Sequence, residues 1–224
     1  MIPQQSRNRN KNNIDLRLAD FPSGYWSINR ADDGTPTCHN RFTIRITHMA
    51  RAANWTGAAR GLHWLVALLL VAVWGAIELH HIPPKGTPWH DYWKTIHFSL
   101  GLTVLLLMIV RLYWRARHPA PAPLGHPLQA VFARLVQGLL YIVVLAMPLL
   151  GFSLRQFAGK PIDFYGLVEL PQLVTPNKEI AHSIAFLHKD LLWYVLLGLV
   201  AVHLVGALWH HFVSRDDTLK RMIR

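Results

Sequence analysis

The sequence holds a single cysteine, Cys38, among 224 residues. That excludes an intrachain disulfide, a cysteine-ligated iron–sulfur cluster and a CxxCH attachment of c-type haem. No GxGxxG or Walker motif is present, so no nucleotide-binding loop is read from it. Acidic residues are few, 12 Asp and Glu against 23 Lys and Arg. In a soluble chain a net charge of +11 would point to nucleic acid. Here much of the excess stands in short segments beside apolar runs, so it reads as membrane topology and a nucleic-acid partner is not expected.

Apolar residues are plentiful. They make up 52% of the chain, the mean hydropathy is +0.21, and nine residues are tryptophan. They gather in four runs separated by charged segments, which predicts one all-α integral membrane domain. Residues 1–48 are different. They hold seven Arg or Lys and no long apolar run, and read as a polar N-terminal extension, either disordered or an artefact of the start site. Met49 looks like a natural start, so the membrane domain is taken as 49–224. Helices are predicted at about 59–79, 93–114, 132–154 and 187–212, each near the ~20 residues a bilayer requires. Pro148 and Gly151 are expected to bend the far part of the third. The stretch from Arg155 to Phe186 reads as a long surface connection with room for a short interfacial helix.

Basic residues set the orientation. Arg51, Arg60, Arg111, Arg115, Arg117, Arg134, Arg215, Lys220, Arg221 and Arg224 fall on one side if both termini share it. On the other side Lys85, Lys94, Arg155, Lys160, Lys178 and Lys189 are offset by acids. The positive-inside rule then puts both termini in the cytoplasm of a multi-pass inner-membrane protein. Trp64, Trp89, Trp93, Trp114, Trp193 and Trp209 lie near helix ends, where tryptophan anchors to lipid headgroups.

Four of the fourteen histidines stand out within the spans. His63 and His203 lie at the inner level, His97 and His188 at the outer level. His188 and His203 are fifteen residues apart, roughly 22 Å along a helix and about 60° around it. One metal cannot serve both levels, but two stacked centres can. Two imidazoles per level suit the axial positions of a b-type haem, whereas zinc takes four protein ligands, or three and water. Gly57, Gly61, Gly75, Gly101, Gly138, Gly151, Gly198 and Gly206 fit either close helix packing or the edge of a flat macrocycle.

Residues from about Ala58 to Met222 carry LHWL at 62–65, KTIHFSLGLTVLLLMIVRLYWR at 94–115 and YIVVLAMPLLG at 141–151. They also carry LHKD at 187–190 and VHLVGALWHHFVSRDDTLKRM at 202–222. This pattern resembles the bacterial four-helix di-haem cytochrome b561 family, and within it the members that oxidise superoxide. The resemblance implies a four-helix transmembrane bundle holding two haem b groups (iron protoporphyrin IX), with His63 and His203 on the inner iron and His97 and His188 on the outer one. Two departures are visible: the step from His188 to His203 is one residue longer than the family's usual step, and Arg134 and Gln137 stand where the relative carries histidines early in the third helix.

The reaction implied is electron transfer from periplasmic superoxide to ubiquinone in the membrane, with release of O2. Positive charge near the outer haem edge would steer the anion, with Arg155, Lys94 and Lys189 as the candidate residues. A quinone needs an apolar slot and a polar group for its carbonyl, and His210 is the candidate, with Arg60 and Trp209 at its level. Two other readings remain open. One is a cytochrome b subunit passing electrons between quinone and a partner redox protein such as a hydrogenase. The other is a non-catalytic haem-binding bundle.

Overall fold

The computed structural model describes residues 54–118 and 120–224, so the reading of residues 1–48 lies outside the described residues. Its spans are α1 (Gly57–His80), α2 (Pro88–Arg117), α3 (Pro127–Phe157) and a composite fourth. The fourth is built from α4 (Lys178–Phe186), a π-helical turn (Leu187–Leu191) and α5 (Leu192–Phe212). Between α3 and α4 lies a hairpin of β1 (Ile162–Phe164) and β2 (Val168–Leu170). A short α6 (Lys220–Ile223) ends the chain. The four spans are long and apolar enough to cross a membrane, and the molecule is an all-α, four-span membrane bundle apart from the one small hairpin.

Each of the four spans starts where the sequence supplies a partner for the first free backbone N–H groups. Thr56 caps α1, Thr87 caps α2 ahead of Pro88, and His126 and Gln129 form a reciprocal box at α3 ahead of Pro127. Asn177 caps α4 by accepting from both Glu179 N and Ile180 N. These caps lie outside the apolar windows, which explains why every helix outruns its predicted length. Hydropathy marks the stretch in hydrocarbon, whereas the caps and proline N1 positions mark the helix. The largest difference is at the fourth span, which runs unbroken over Lys178–Phe212, 35 residues, rather than starting at 187.

The packed centre is small. Val66, Val104, Met108, Val143, Val144 and Leu196 are buried together, with Leu69, Leu140 and Leu199 among those packed against them. Much of the remaining apolar surface is exposed, Leu68, Leu106, Ile142 and Val205 included, as a lipid-facing bundle requires. Helix α1 packs on α2, α2 on α3, and α3 on α4 and α5. Among the described residues no comparable backbone packing joins α5 to α1 or α2. Trp114 Nε1 donates to Thr56 Oγ1 (2.9 Å) and Trp64 Nε1 to the Met222 carbonyl (2.9 Å), so α1 begins and α2 ends at the same end as the tail. That is the C-terminal end; the opposite one is the hairpin end.

The hairpin is fastened to the bundle by two buried polar residues. Ser99, fully buried on α2, accepts from Tyr165 N (2.8 Å) and donates to the Asp163 carbonyl (3.4 Å). Tyr165 and Gly166 both have positive φ, 56° and 73°, the twist a tight hairpin needs. Asp163 Oδ1 accepts from Gly166 N (2.9 Å), and Thr103 Oγ1 meets the Tyr165 hydroxyl (3.0 Å). Gln156, buried in the last turn of α3, donates to the Pro171 carbonyl and accepts from Leu173 N (2.7 Å). The segment expected as a plain surface connection is therefore a clasp, fixed to α2 at one point and α3 at another.

Replacing Ser99 by alanine leaves the Tyr165 N–H buried and unpaired, a loss of about 1–3 kcal/mol. Ser99→Ala should lower the thermal unfolding midpoint of the detergent-solubilised protein and expose the hairpin to protease. An unchanged midpoint and cleavage pattern would show that the clasp contributes nothing.

Candidate functional site

Two histidine pairs cross the bundle where the helix backbones do not pack. Toward the C-terminal end, His63 of α1 faces His203 of α5, with ring centroids 6.2 Å apart and planes at 71°. Toward the hairpin end, His97 of α2 faces His188 of the π turn, at 6.4 Å and 90°. An imidazole nitrogen binds a first-row metal at about 2 Å and lies about 1.1 Å from its ring centre. Two imidazoles on opposite sides of one ion therefore hold their centroids about 6.2 Å apart. Both pairs have that separation. Among the described residues no group of three or more His, Cys, Asp or Glu converges as a metal site. The donor set is thus two imidazoles per level, which suits a macrocycle that supplies the remaining four ligands.

The hairpin-end pair is held by its other nitrogens. His97 Nδ1 lies 2.9 Å from the Val73 carbonyl, and His188 Nδ1 lies 2.9 Å from the Met147 carbonyl. A carbonyl only accepts, so each Nδ1 carries the proton and each Nε2 keeps its lone pair for a ligand. Metal-binding histidines are commonly oriented in this way. Gly151 completes the seat of His188: a Cβ there would lie 3.2 Å from His188 Cε1. The π turn carries His188 itself. Such a turn lets one extra residue enter a helix without a full helical step of rotation.

The other glycines do not play the first of the two roles read from the sequence. A Cβ at Gly57, Gly61, Gly75, Gly101, Gly138, Gly198 or Gly206 would meet nothing within 4 Å. These residues do not draw helices into contact; of the eight, Gly151 alone makes a close approach, and it does so to a histidine ring.

At the C-terminal end the ring of Trp64 meets that of His63 edge-on, with centroids 5.3 Å apart. Arg111, counted in the sequence only as a topology charge, has a larger place here. Its charge acts on both His63 and His203, and its Nε donates to the Tyr141 hydroxyl (2.9 Å). The signal for it was available: an arginine six residues inside the end of α2 is costly in a membrane unless it is used.

Basic side chains collect at the hairpin end. Lys94 has Lys160, Arg155 and Lys189 as electrostatic neighbours, with Asp91 the acid among them. Lys85 and Lys178 are not in that set. Arg155 lies within the last turn of α3 rather than after it. Its guanidinium stands 4.6 Å from the ring centre of Phe98, next in sequence to His97, and its Nη2 donates to the Pro161 carbonyl. Its buried Nε has no partner among the described residues.

At the other end, His210 Nδ1 donates to Asp216 Oδ2 at 2.6 Å, with the side chains only 14% and 17% exposed. Burial alone would raise the Asp216 carboxyl. Hydrogen bonds from Thr218 and His210 outweigh it and hold the group below the usual carboxylate range. The structure pairs His210 with Asp216, and gives it no hydrogen bond to Arg60 or Trp209 among the described residues.

Residues 54–224 match the family model described as prokaryotic cytochrome b561. The chain is similar to the probable superoxide oxidase CybB of Yersinia pestis, 33% identical over 73% of this chain and 92% of that one. It is similar to cytochrome b561 homolog 1 of Escherichia coli, 36% identical over 72% and 92% of the two chains. Homolog 2 of the same organism is 30% identical over 72% and 86%. Four apolar spans and two facing histidine pairs thus stand in a chain that belongs to the prokaryotic cytochrome b561 family of membrane electron-transfer proteins.

Proposed function

We infer that this protein is a superoxide:ubiquinone oxidoreductase of the inner membrane, with His63 and His203 holding one haem b and His97 and His188 a second. The observation that carries this is the pair of imidazole separations, 6.2 and 6.4 Å, at opposite ends of one bundle. Bound there, haem b supplies one-electron chemistry between ferric and ferrous iron. The printed name of the Yersinia relative supports superoxide as donor. The balance is two superoxide anions, one quinone and two protons giving two O2 and one quinol.

The hairpin end faces the periplasm in this reading, because the Arg and Lys residues close to helix ends are denser at the C-terminal end. The cluster of Arg155, Lys94, Lys160 and Lys189 draws the small anion to the outer histidine pair. Each imidazole pair would be taken up in holding its haem, which would supply electron transfer rather than oxygen binding. His210 stands at the cytoplasmic end to meet a quinone carbonyl, and the exposed apolar faces of the spans keep the acceptor in contact with the lipid that carries it.

Purified protein should contain two non-covalent, low-spin b haems. His63→Ala or His203→Ala should remove one and His97→Ala or His188→Ala the other. Gly151→Val should weaken only the second, since the added methyls fill the seat of the His188 ring. A single haem per chain, or loss of the same haem in all four alanine variants, overturns the assignment.

Orientation is checked by reporter fusions. A fusion after Arg117 should report the cytoplasm and one near Lys178 the periplasm; the opposite result reverses every side named above.

Stopped-flow mixing with a superoxide source should reduce the haems of the isolated protein, and superoxide dismutase should abolish the effect. The rate should fall with salt, because attraction between small charges is screened over about 8 Å at physiological ionic strength. Arg155→Gln should slow reduction and leave the spectrum unchanged. Indifference to dismutase would move the donor to a partner protein, as in cytochrome b subunits that serve hydrogenases.

A further inference from the structure

The C-terminal tail is folded back onto the end of the fourth span, and the fold-back centres on one side chain. Beyond α5 the chain turns at Arg215, whose φ of 52° is left-handed without being glycine. Residues held in that region are strained and persist where the surroundings dictate them. The turn brings Asp216 back over the helix it has just left. Asp216 N donates to the His210 carbonyl (3.1 Å), and Asp216 Oδ2 accepts from His210 Nδ1 (2.6 Å). The second oxygen, Oδ1, accepts from Thr218 N (2.9 Å), so the carboxylate cannot swing away without losing two bonds.

Other contacts hold the same corner. Arg221 Nη1 donates to the Ala122 carbonyl (3.1 Å), and the Met222 carbonyl accepts from Trp64, the neighbour of His63. Gly125 lies against the ring: a Cβ there would lie 3.6 Å from His210 Cε1. The adjacent acid, Asp217, is engaged by Lys220 at 2.9 Å, which leaves Asp216 as the carboxylate on the histidine. Three separate segments of chain therefore meet at one imidazole: the end of α5, the tail and the connection before α3.

We propose that Asp216 is the positioning residue of a proton-delivery pair, fixing His210 with Nδ1–H on the carboxylate and Nε2 turned to a quinone carbonyl. The role rests on the quinone reading above and adds the route of the proton. Reduction of a quinone to quinol takes up two electrons and two protons. Protonated His210 gives up the Nε2–H proton as one O–H bond of the quinol forms, and the other quinone oxygen takes its proton from water. The imidazole keeps Nδ1–H on Asp216 and regains the lost proton at Nε2 from water at the cytoplasmic face. The carboxylate opposite compensates the charge of the imidazolium before transfer, and the fixed ring ensures that the same nitrogen is presented at each turnover.

The test separates this role from the quinone reading. Anaerobic protein with its haems already reduced is mixed with ubiquinone-1, and haem reoxidation is followed. Asp216→Asn keeps an oxygen for Thr218 N but sets an NH2 donor against Nδ1, so it removes the charge and reverses the tautomer. It should lower the limiting rate about 10²-fold, with little change in the quinone concentration giving half that rate. Asp216→Glu should recover most of the loss. Nitrogen-15 NMR of the histidines, with His210→Gln for assignment, should show the Nδ1–H form in the wild type and lose it in Asp216→Leu. A wild-type limiting rate in Asp216→Asn, or an Nε2–H form of His210 in the wild type, overturns the proposal. Reduced wild-type protein that ubiquinone-1 does not reoxidise defeats the quinone reading and this role with it, while the NMR result still reports whether the pair exists.

Discussion

An imidazole placed in hydrocarbon has two nitrogens to satisfy, and the bundle is arranged around doing so for four of them. Burying such a group unpaired costs more than most single packing contacts return. At the hairpin end one nitrogen of each ring is settled by a backbone carbonyl, Val73 for His97 and Met147 for His188. Both carbonyls belong to helix interiors, where their own i+4 donors compete. Met147 immediately precedes Pro148, which has no N–H to give to the Val144 carbonyl. The rings face each other in pairs at the centroid spacing one metal ion would set, and the helices that carry them stay apart accordingly.

The four spans, the four histidines and their pairing were legible in the sequence, because they depend on two strong signals. Hydrocarbon demands runs of about 20 apolar residues, and a histidine inside such a run stands out. Helix ends were less legible. Thr56, Thr87 and Asn177 begin helices well outside the apolar windows, and a reading based on hydropathy passes over them. The hairpin at 162–170 was missed for a related reason. Its strands are three residues each, too short to show alternation, and its turn puts tyrosine, a poor predictor of positive φ, beside Gly166. The contacts that fix it, from Ser99 and Gln156, reach across 66 and 17 residues of sequence.

Charge shows the same division. A count of Arg and Lys by segment assigns sides but not tasks. It places Arg111 and Arg117 in one class, although six residues separate one beside the histidine pair from one at the end of the helix. It also gives Lys178 the same standing as Lys189. The fold gathers Lys94, Arg155, Lys160 and Lys189 because α2, α3 and the fourth span all end or begin at the hairpin end, and the clasp carries Lys160 over them. Convergence of like charges is unfavourable on its own, and Asp91 offsets only part of it. Such a group persists where clasp and helix caps hold the backbone in place.

The two ends of the bundle solve one mechanical problem by different means. A helix end frays within its last turn unless its free carbonyls and side chains are tied down. At the hairpin end the ties are long-range: Gln156 and Ser99 hold a β-clasp that returns the chain across the top of α2 and α3. At the C-terminal end they are local: six residues past His210, the chain turns through Arg215 and closes on the histidine it came from. Polar groups that act on a charge in transit do most when they are already oriented and need not reorganise. Each extramembrane segment therefore does for its end what the carbonyls of Val73 and Met147 do within the membrane, holding a titratable or charged group in one orientation beside a histidine pair. In the function proposed above, the termini of the spans belong to the site as much as the histidines between them.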